Sequence, residues 1–279
     1  MKTIAVTGGS GKLGAAVVHA LQREGLDVLS LDRRRSEALR CRQLTVDLED
    51  LGEVAGALQG VDAVVHLAAI PAPLLYPPAR IFRNNVLSGY NVLEAAELLG
   101  IGRVVFGSSE SSYGFAWAPQ PFEPLYVPVD EGHPQLPQEC YGLSKVVNES
   151  AVSMVNRRGA LTAIALRFST VMAPEEYRSA DPASRPERFK KTLWSYIDIR
   201  DAADACLAAL NVRGPVPDHL NITADDTLSD WPTARLLDEF YPGVSDRRAP
   251  FAAREAVVSN RLAKETMDWR PRHSWRDGQ

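Results

Sequence analysis

The chain has 279 residues, 45% hydrophobic and 24% charged, an ordinary composition for a folded protein and long enough for one large α/β unit or two small ones. Its net charge of −4 gives no electrostatic reason to expect nucleic acid or an anionic membrane as partner, and Cys41, Cys140 and Cys206 are odd in number and widely spaced, so neither a disulfide framework nor a zinc site is suggested. No apolar run reaches the ~18 residues of a membrane span, and the chain starts directly in a strand pattern instead of a signal peptide, so a cytoplasmic location is expected.

Residues 3–31 read as strand, glycine turn, helix and strand: Thr3 to Thr7, then Gly8, Gly11 and Gly14 with Lys12 and Leu13 between them, then an apolar-periodic helix through Leu21, then Asp27 to Leu31. Glycines at this spacing suit a loop that turns tightly, lets the backbone approach a pyrophosphate and packs the helix close to the sheet, with the helix N-terminus facing the phosphates. Asp32 ends the second strand, where a carboxylate accepts both ribose hydroxyls of an adenosine and repels a 2′-phosphate. This argues for NAD over NADP. Arg33, Arg34 and Arg35 keep NADP open, since an arginine there can stack on adenine or hold a 2′-phosphate.

A third strand, Gln43 to Val46, leads into Asp47 and Leu48, where a short acid either meets the adenine amino group or caps the helix predicted over residues 51–58. A fourth strand, Ala63 to Leu67, runs into the small residues Ala68 and Ala69, which let a cofactor lie against the backbone. His66, within the strand, reads as structural. Asn84 and Asn85 are expected to begin a helix through Leu99, and Arg103 to Phe106 is a fifth strand, with Ser108 and Ser109 at its end. Strands alternating with helices at this spacing imply a doubly wound parallel sheet with its ligand site at the carboxyl ends of the strands.

Tyr141 and Lys145 lie four apart at the start of a further helix and so share a face. An ammonium beside a phenol favours the phenolate and brings its pKa toward the working range, which makes Tyr141 a proton shuttle. Between Ser109 and Tyr141 a loop rich in proline carries Phe115, Trp117, Phe122 and Tyr126. Trp117 either stacks on a sugar ring or is buried among the loop's own aromatics. Asp130 and Glu131 read as surface acids. After the strand from Thr162 to Phe168, residues 169–194 are irregular and carry Arg178, Arg185, Arg188, Lys190 and Lys191, a possible set of contacts for an anionic substrate.

The succession Thr7-Gly-Gly-x-Gly-x-x-Gly14, Asp32, Asp47-Leu48, His66-Leu-Ala-Ala69, Asn85-Val, Ser108-Ser109, Tyr113-Gly114 and Tyr141-x-x-x-Lys145 resembles the extended short-chain dehydrogenase/reductase family, in its NAD-dependent epimerase/dehydratase branch. Tyr196 to Asp201, His219 to Ile222 and Met267 to Pro271 continue the likeness, the last two as pieces of the family's second lobe. The resemblance implies a Rossmann domain over residues 1–168 with 195–222, and a small substrate lobe over 169–194 with 223–279. It makes Tyr141 the general acid/base, Lys145 the group that lowers its pKa and holds the nicotinamide ribose, and Ser109 the hydroxyl that steadies the substrate oxygen. Asn85, or its neighbour Asn84, supports the site from its helix; Ser111, Arg167 and Ser169 are further substrate contacts. It also implies a homodimer built on the helix after Asn85 and the helix of Tyr141, with Val86, Val92, Leu93, Ala96, Val146, Val147, Val152 and Val155 as spare apolar surface.

Two departures bear on function. The glycine-rich, Gln-Arg-containing stretch that nucleotide-sugar epimerases carry before the motif at Tyr196 is replaced here by Phe189-Lys-Lys-Thr-Leu-Trp194, and the second lobe is short. The expectation is an NAD-dependent oxidoreductase acting on a carbinol of a sugar or sugar acid. The alternatives are a nucleotide-sugar epimerase or dehydratase, which returns the hydride within one turnover, and a dinucleotide-binding regulator without catalysis.

Overall fold

Parallel strands covered on both faces read as nearly unbroken apolar runs, and β1 (Thr3–Thr7), β2 (Asp27–Asp32), β4 (Ala63–His66), β5 (Arg103–Ser109) and β6 (Thr162–Phe168) have this character, with nearly every residue buried. In the computed structural model, which describes residues 3–182 and 185–278, they form a seven-stranded sheet of order β3-β2-β1-β4-β5-β6-β9, with β3 (Arg42–Thr45) and β9 (His219–Ile222) at the edges. All pairings are parallel.

One face packs on α1 (Lys12–Arg23) and α6 (Ile199–Asn211), through Val17, Val18, Leu21, Ala202, Cys206 and Ala209. The other is covered by α2 (Leu51–Ala57), α3 (Pro78–Leu98) and α4 (Cys140–Arg158), through Val54, Val92, Leu93, Val152 and Val155. The strand order reverses between β1 and β4, so their carboxyl ends diverge and leave a crevice there.

A two-stranded sheet of β7 (Thr170–Met172) and β8 (Tyr196–Asp198) stands beyond the end of β6, joined through α5 (Glu176–Ala180) and a 3-10 turn, Pro186–Thr192. A separate core beyond the strand ends gathers Tyr113, Phe115, Val127, Leu193, Trp194 and Phe251, with Leu236 and Leu237 of α7 (Thr233–Phe240). Residues 169–194 are therefore less irregular than their sequence suggests.

Several expectations are corrected. Asn84 and Asn85 lie inside α3, which starts at Pro78, because a proline at the first helical position has no N–H to lose. β9 lies at the edge of the main sheet, within the bounds 195–222 expected for the Rossmann domain, while Met267 and Trp269, at and just after the end of α8 (Arg261–Met267), pack into the core under that sheet instead of into a separate one. Glu131 is not a surface acid: its carboxylate accepts the Asn221 N–H at 2.8 Å and ties the loop to β9. Of the helix residues expected as spare apolar surface, Val92, Leu93, Ala96, Val152 and Val155 are spent against the sheet. His66 is structural, as read: its ring meets the Thr7 hydroxyl at 2.8 Å, and burial drives its pKa down to about 3.

Candidate active site

The glycine loop closes on itself because no side chain fits there. Gly8 has φ +69, and a Cβ on it would lie 2.7 Å from the Ala68 nitrogen. A Cβ on Gly14 would meet the Gly8 carbonyl at 2.0 Å, so this glycine lets α1 sit hard against the turn. Asp32 is oriented by the same loop: its carboxylate accepts the Ser10 N–H at 3.0 Å and the Arg33 N–H at 2.7 Å. A cleft of about 210 Å³ runs past Gly8, Gly11, Asp32, Arg33, Arg34, Asp47, Leu48, Leu67, Ala68, Ala69 and Asn84. These are the surroundings an adenosine requires. The Arg33 guanidinium is hydrogen-bonded to the Asn84 side chain, and Arg35 turns away to the Gln43 carbonyl at 2.9 Å. Asp47 does not cap α2. Asp50 does, accepting the Glu53 N–H at 2.9 Å, which leaves Asp47 on the wall of the cleft.

The cleft continues into a cavity of about 470 Å³, bounded by Gly11, Lys12, Leu13, Gly14, Leu67, Ala69, Ser108, Ser109, Ser111, Trp117, Tyr141, Lys145, Phe168 and Ser169, among others. Tyr141 is placed by the start of α4. The Glu139 carboxylate caps that helix, accepting the Tyr141 N–H at 2.5 Å and the Gly142 N–H at 2.6 Å. A Cβ on Gly142 would stand 2.5 Å from the Ser111 carbonyl, so only glycine lets α4 approach the turn after β5 closely enough for the Ser109 hydroxyl to act on the Tyr141 phenol. One turn on, Lys145 donates to the Gly107 carbonyl at 2.7 Å, and its ammonium lies 5.6 Å from the centre of the Tyr141 ring.

The electrostatics differ from the sequence expectation. Burial pushes the Tyr141 phenol up to about 12, against the lowering influence of Ser109, and brings Lys145 down to about 8, against the raising influence of Glu149. Lys145 spends its charge on the Gly107 carbonyl and does not depress the phenol. Tyr141 is therefore a proton donor at neutral pH.

Some expected contacts lie elsewhere. Arg167 is buried and does not line the cavity; it is paired with Glu149 through two hydrogen bonds of 3.0 and 2.7 Å. Ser108 turns its hydroxyl to Glu149 and presents only the rest of the residue to the cavity. Asn85 does not line either space. Its side chain bonds Ile70 N–H at 2.8 Å and Ile70 carbonyl at 3.1 Å, and reaches the Ser144 hydroxyl at 3.3 Å, so it fixes the loop after β4 against α4. Lys12 donates to the Val171 carbonyl at 2.8 Å and pairs with Glu176, tying the glycine loop to β7 and α5. The basic residues from 178 to 191 do not line the cavity: Arg188 donates to the Ser179 and Ala180 carbonyls at 3.1 and 3.0 Å, and Lys191 to the Ala118 carbonyl at 3.4 Å. Trp117, 39% exposed, is on the cavity wall.

Sequence reasoning missed Glu110, Thr170 and Thr192, all on the same wall. For Glu110 a signal was present: an acid at the carboxyl end of a buried strand, directly after Ser109. Among the described residues no cluster of His, Cys, Asp or Glu has the arrangement to hold a metal ion, and no helix is long and apolar enough to cross a membrane.

A doubly wound sheet with a glycine loop, an acid on the second strand and a Ser, Tyr and Lys set over one cavity defines a dinucleotide-dependent short-chain dehydrogenase/reductase. The profile of the NAD dependent epimerase/dehydratase family matches residues 4–223, and the chain belongs to that family. A UDP-glucose 4-epimerase of Lacticaseibacillus casei is 34% identical over 262 residues, 89% of this chain and 75% of that protein. An L-arabinose 1-dehydrogenase (NAD(P)(+)) of Haloferax volcanii is 32% identical over 201 residues, 70% of this chain and 77% of that protein. Among solved structures, a short-chain dehydrogenase/reductase superfamily protein of Agrobacterium tumefaciens with bound NAD superposes with a TM-score of 0.77 at 26% identity, covering 98% of this chain and 94% of the other.

The residues present fit NAD. The glycine cradle is one that any Cβ would fill, and Asp32 stands at the rim with an oxygen on each side of its carboxylate held by only one backbone N–H.

Proposed function

We propose that the protein oxidises a carbinol of a small sugar-type substrate and releases the reduced cofactor. The observation that supports this reading is the closed far end of the cavity. Beyond Glu110, Ala116 and Thr192 the adjoining space amounts to about 10 Å³, walled by Tyr113, Phe115, Leu193 and Val258 of the separate core. A nucleoside diphosphate has no place to extend there; Lys191, which also borders this space, donates to the Ala118 carbonyl, and Arg188 donates to the Ser179 and Ala180 carbonyls. The sequence similarity to an arabinose dehydrogenase supports the same reading.

NAD, held by the glycine loop, Asp32, Asp47, Leu48, Ala68, Ala69 and Lys145, supplies the hydride acceptor. The chain's part is the proton. Ser109 and Tyr141 hydrogen-bond the substrate oxygen between them, and the Tyr141 oxygen takes the carbinol proton as the carbon is oxidised. Because burial keeps the phenol protonated, loss of its proton is what oxidation requires first, and in the reverse direction the same phenol donates. Trp117 closes the solvent side of the substrate.

We also infer a homodimer through α3 and α4. Leu87, Tyr90 and Leu98 of α3 and Leu143 of α4 stand 37–70% exposed on the side of the helices away from the sheet. They take the place of the valines spent on the core.

The test is incubation with NAD and a panel of free sugars, sugar acids and sugar phosphates, read at the absorbance of NADH. Stoichiometric NADH with at least one free sugar is expected. Reaction of nucleotide sugars alone, with isomer formed and no net NADH, makes the enzyme an epimerase.

A further inference from the structure

The wall of the cavity holds an ionisable group beside Ser109 and Tyr141 to which the proton chemistry gives no role. Glu110 follows Ser109 at the end of β5, and its carboxyl is partly buried, opening onto the cavity. One oxygen is hydrogen-bonded by the Ser195 hydroxyl; the other is reached by the Thr170 hydroxyl at 3.4 Å. The Ser169 hydroxyl lies beside the same carboxyl, only 4% of the residue being exposed, without completing a hydrogen bond of ordinary geometry. Thr192 stands on the same wall. Lys12 and Lys145, the cations that line the cavity, are committed at its cofactor end to Val171, Glu176 and Gly107.

Burial pushes Glu110 up to about 8, so at neutral pH the group is a carboxylic acid, able to donate one hydrogen bond and to accept others. A carboxyl with no cation among its hydrogen-bond partners, ringed by serine and threonine hydroxyls, is suited to alcohol groups. It is unsuited to an anion, which would have to give up water against a group that itself resists charge.

Resting on the reading of the cavity as a site for a free sugar, we propose that Glu110, with Ser169 and Thr170, recognises hydroxyl groups of the substrate other than the reacting one and selects a neutral sugar over the corresponding sugar acid. Glu110 thus sets specificity and Tyr141 moves the proton. Of the basic residues that the sequence suggests for an anionic substrate, Lys191 borders the small space beyond Glu110, where its ammonium donates to the Ala118 carbonyl.

The experiment is calorimetric titration of the protein saturated with NADH, at pH 7, with D-galactose and with D-galacturonate, which differ only in the oxidation of one terminal carbon. Wild type is expected to bind galactose at least about tenfold more tightly than galacturonate, the worth of one buried hydrogen bond to a group left unpaired. Glu110→Ala loses about tenfold or more toward galactose. Glu110→Gln, which keeps a donor and an acceptor without the acid, stays within about threefold for galactose and narrows the gap to galacturonate, because an amide has no proton to lose and so sets no second negative charge against a sugar carboxylate. NADH affinity, read in the same variants, reports that the fold is intact, and Glu110→Gln carries the test where Glu110→Ala does not fold. Equal affinity of wild type for the two sugars, or unchanged discrimination in Glu110→Gln, overturns the proposal. Where wild type also makes net NADH from a free sugar, such a result overturns the role of Glu110 alone; absence of both sugar binding and net NADH overturns the free-sugar reading and the proposal together.

Discussion

Arg167→Met removes one half of a buried ion pair. The Arg167 and Glu149 side chains are 1% and 5% exposed and 2.7 Å apart at their nearest atoms. Arg167 also donates to the Tyr113 hydroxyl at 2.9 Å and the Glu131 carbonyl at 3.3 Å. Burial pushes the Glu149 carboxyl up, yet its Arg167 and Ser108 partners hold it below the ordinary value. Methionine fills much of the guanidinium's space and leaves the carboxylate with Ser108 and Gln135 as hydrogen-bond partners and the Lys145 ammonium as the nearby cation. Leaving such a charge unpaired costs about 3–5 kcal/mol. At about 2–4 °C per kcal/mol for a chain of this size, the midpoint of thermal unfolding falls by about 6–20 °C. Urea denaturation at pH 7 measures the same loss. The sign of the pH dependence follows from the lowered Glu149 pKa: its stabilisation is fully present above the unfolded carboxylate value and is lost as pH falls through the folded one. The penalty of Arg167→Met therefore shrinks toward acid. Glu149→Met added to Arg167→Met recovers most of the loss, since a matched apolar pair leaves no charge behind. A loss under about 1 kcal/mol for the single variant, or no recovery in the double, refutes the account of this pair. A rise in KM with stability unchanged instead makes Arg167 a substrate contact.

Tyr141→Phe keeps NAD affinity and lowers turnover by about 10²–10⁴, and the rise of kcat/KM for oxidation with pH in wild type, expected from a phenol pushed up to about 12, is absent in the variant; turnover near wild type refutes the role of Tyr141. Asp32→Ala weakens NAD and relaxes discrimination against NADP, measured as the ratio of the two kcat/KM values; a wild type that already prefers NADP makes Arg33 and Arg34 the deciding residues. Sedimentation at micromolar concentration gives a dimer, and Tyr90→Glu with Leu143→Glu gives a monomer; a monomeric wild type excludes the α3 and α4 interface.

Much of the cofactor half was legible because its signals are local. Gly8, Gly11 and Gly14 are backbone requirements visible at fixed spacing, Asp32 ends a strand, and the Tyr141 and Lys145 pair needs only one helical turn. Positions set by partners distant in sequence were not legible. Arg167 looks like a substrate contact until Glu149, brought beside it by α4, neutralises it. Glu131 looks exposed until β9 docks on it. The start of α3 was misplaced because a proline pair at 77 and 78 reads as a loop when it is in fact the first helical turn. The lowered phenol pKa was expected from spacing alone, and depth of burial, which no spacing reports, reversed it.

The central claim is that the hydride leaves with the cofactor. Perdeuterated galactose, or another free sugar found to react, is given to the enzyme with unlabelled NAD in excess, and the nicotinamide cofactor recovered from the medium is weighed by mass spectrometry. The account predicts free reduced cofactor one mass unit heavy, in amounts equal to oxidised sugar and exceeding the enzyme many times over. Label retained in an isomerised product, with no more deuterated cofactor than one equivalent per enzyme, contradicts it.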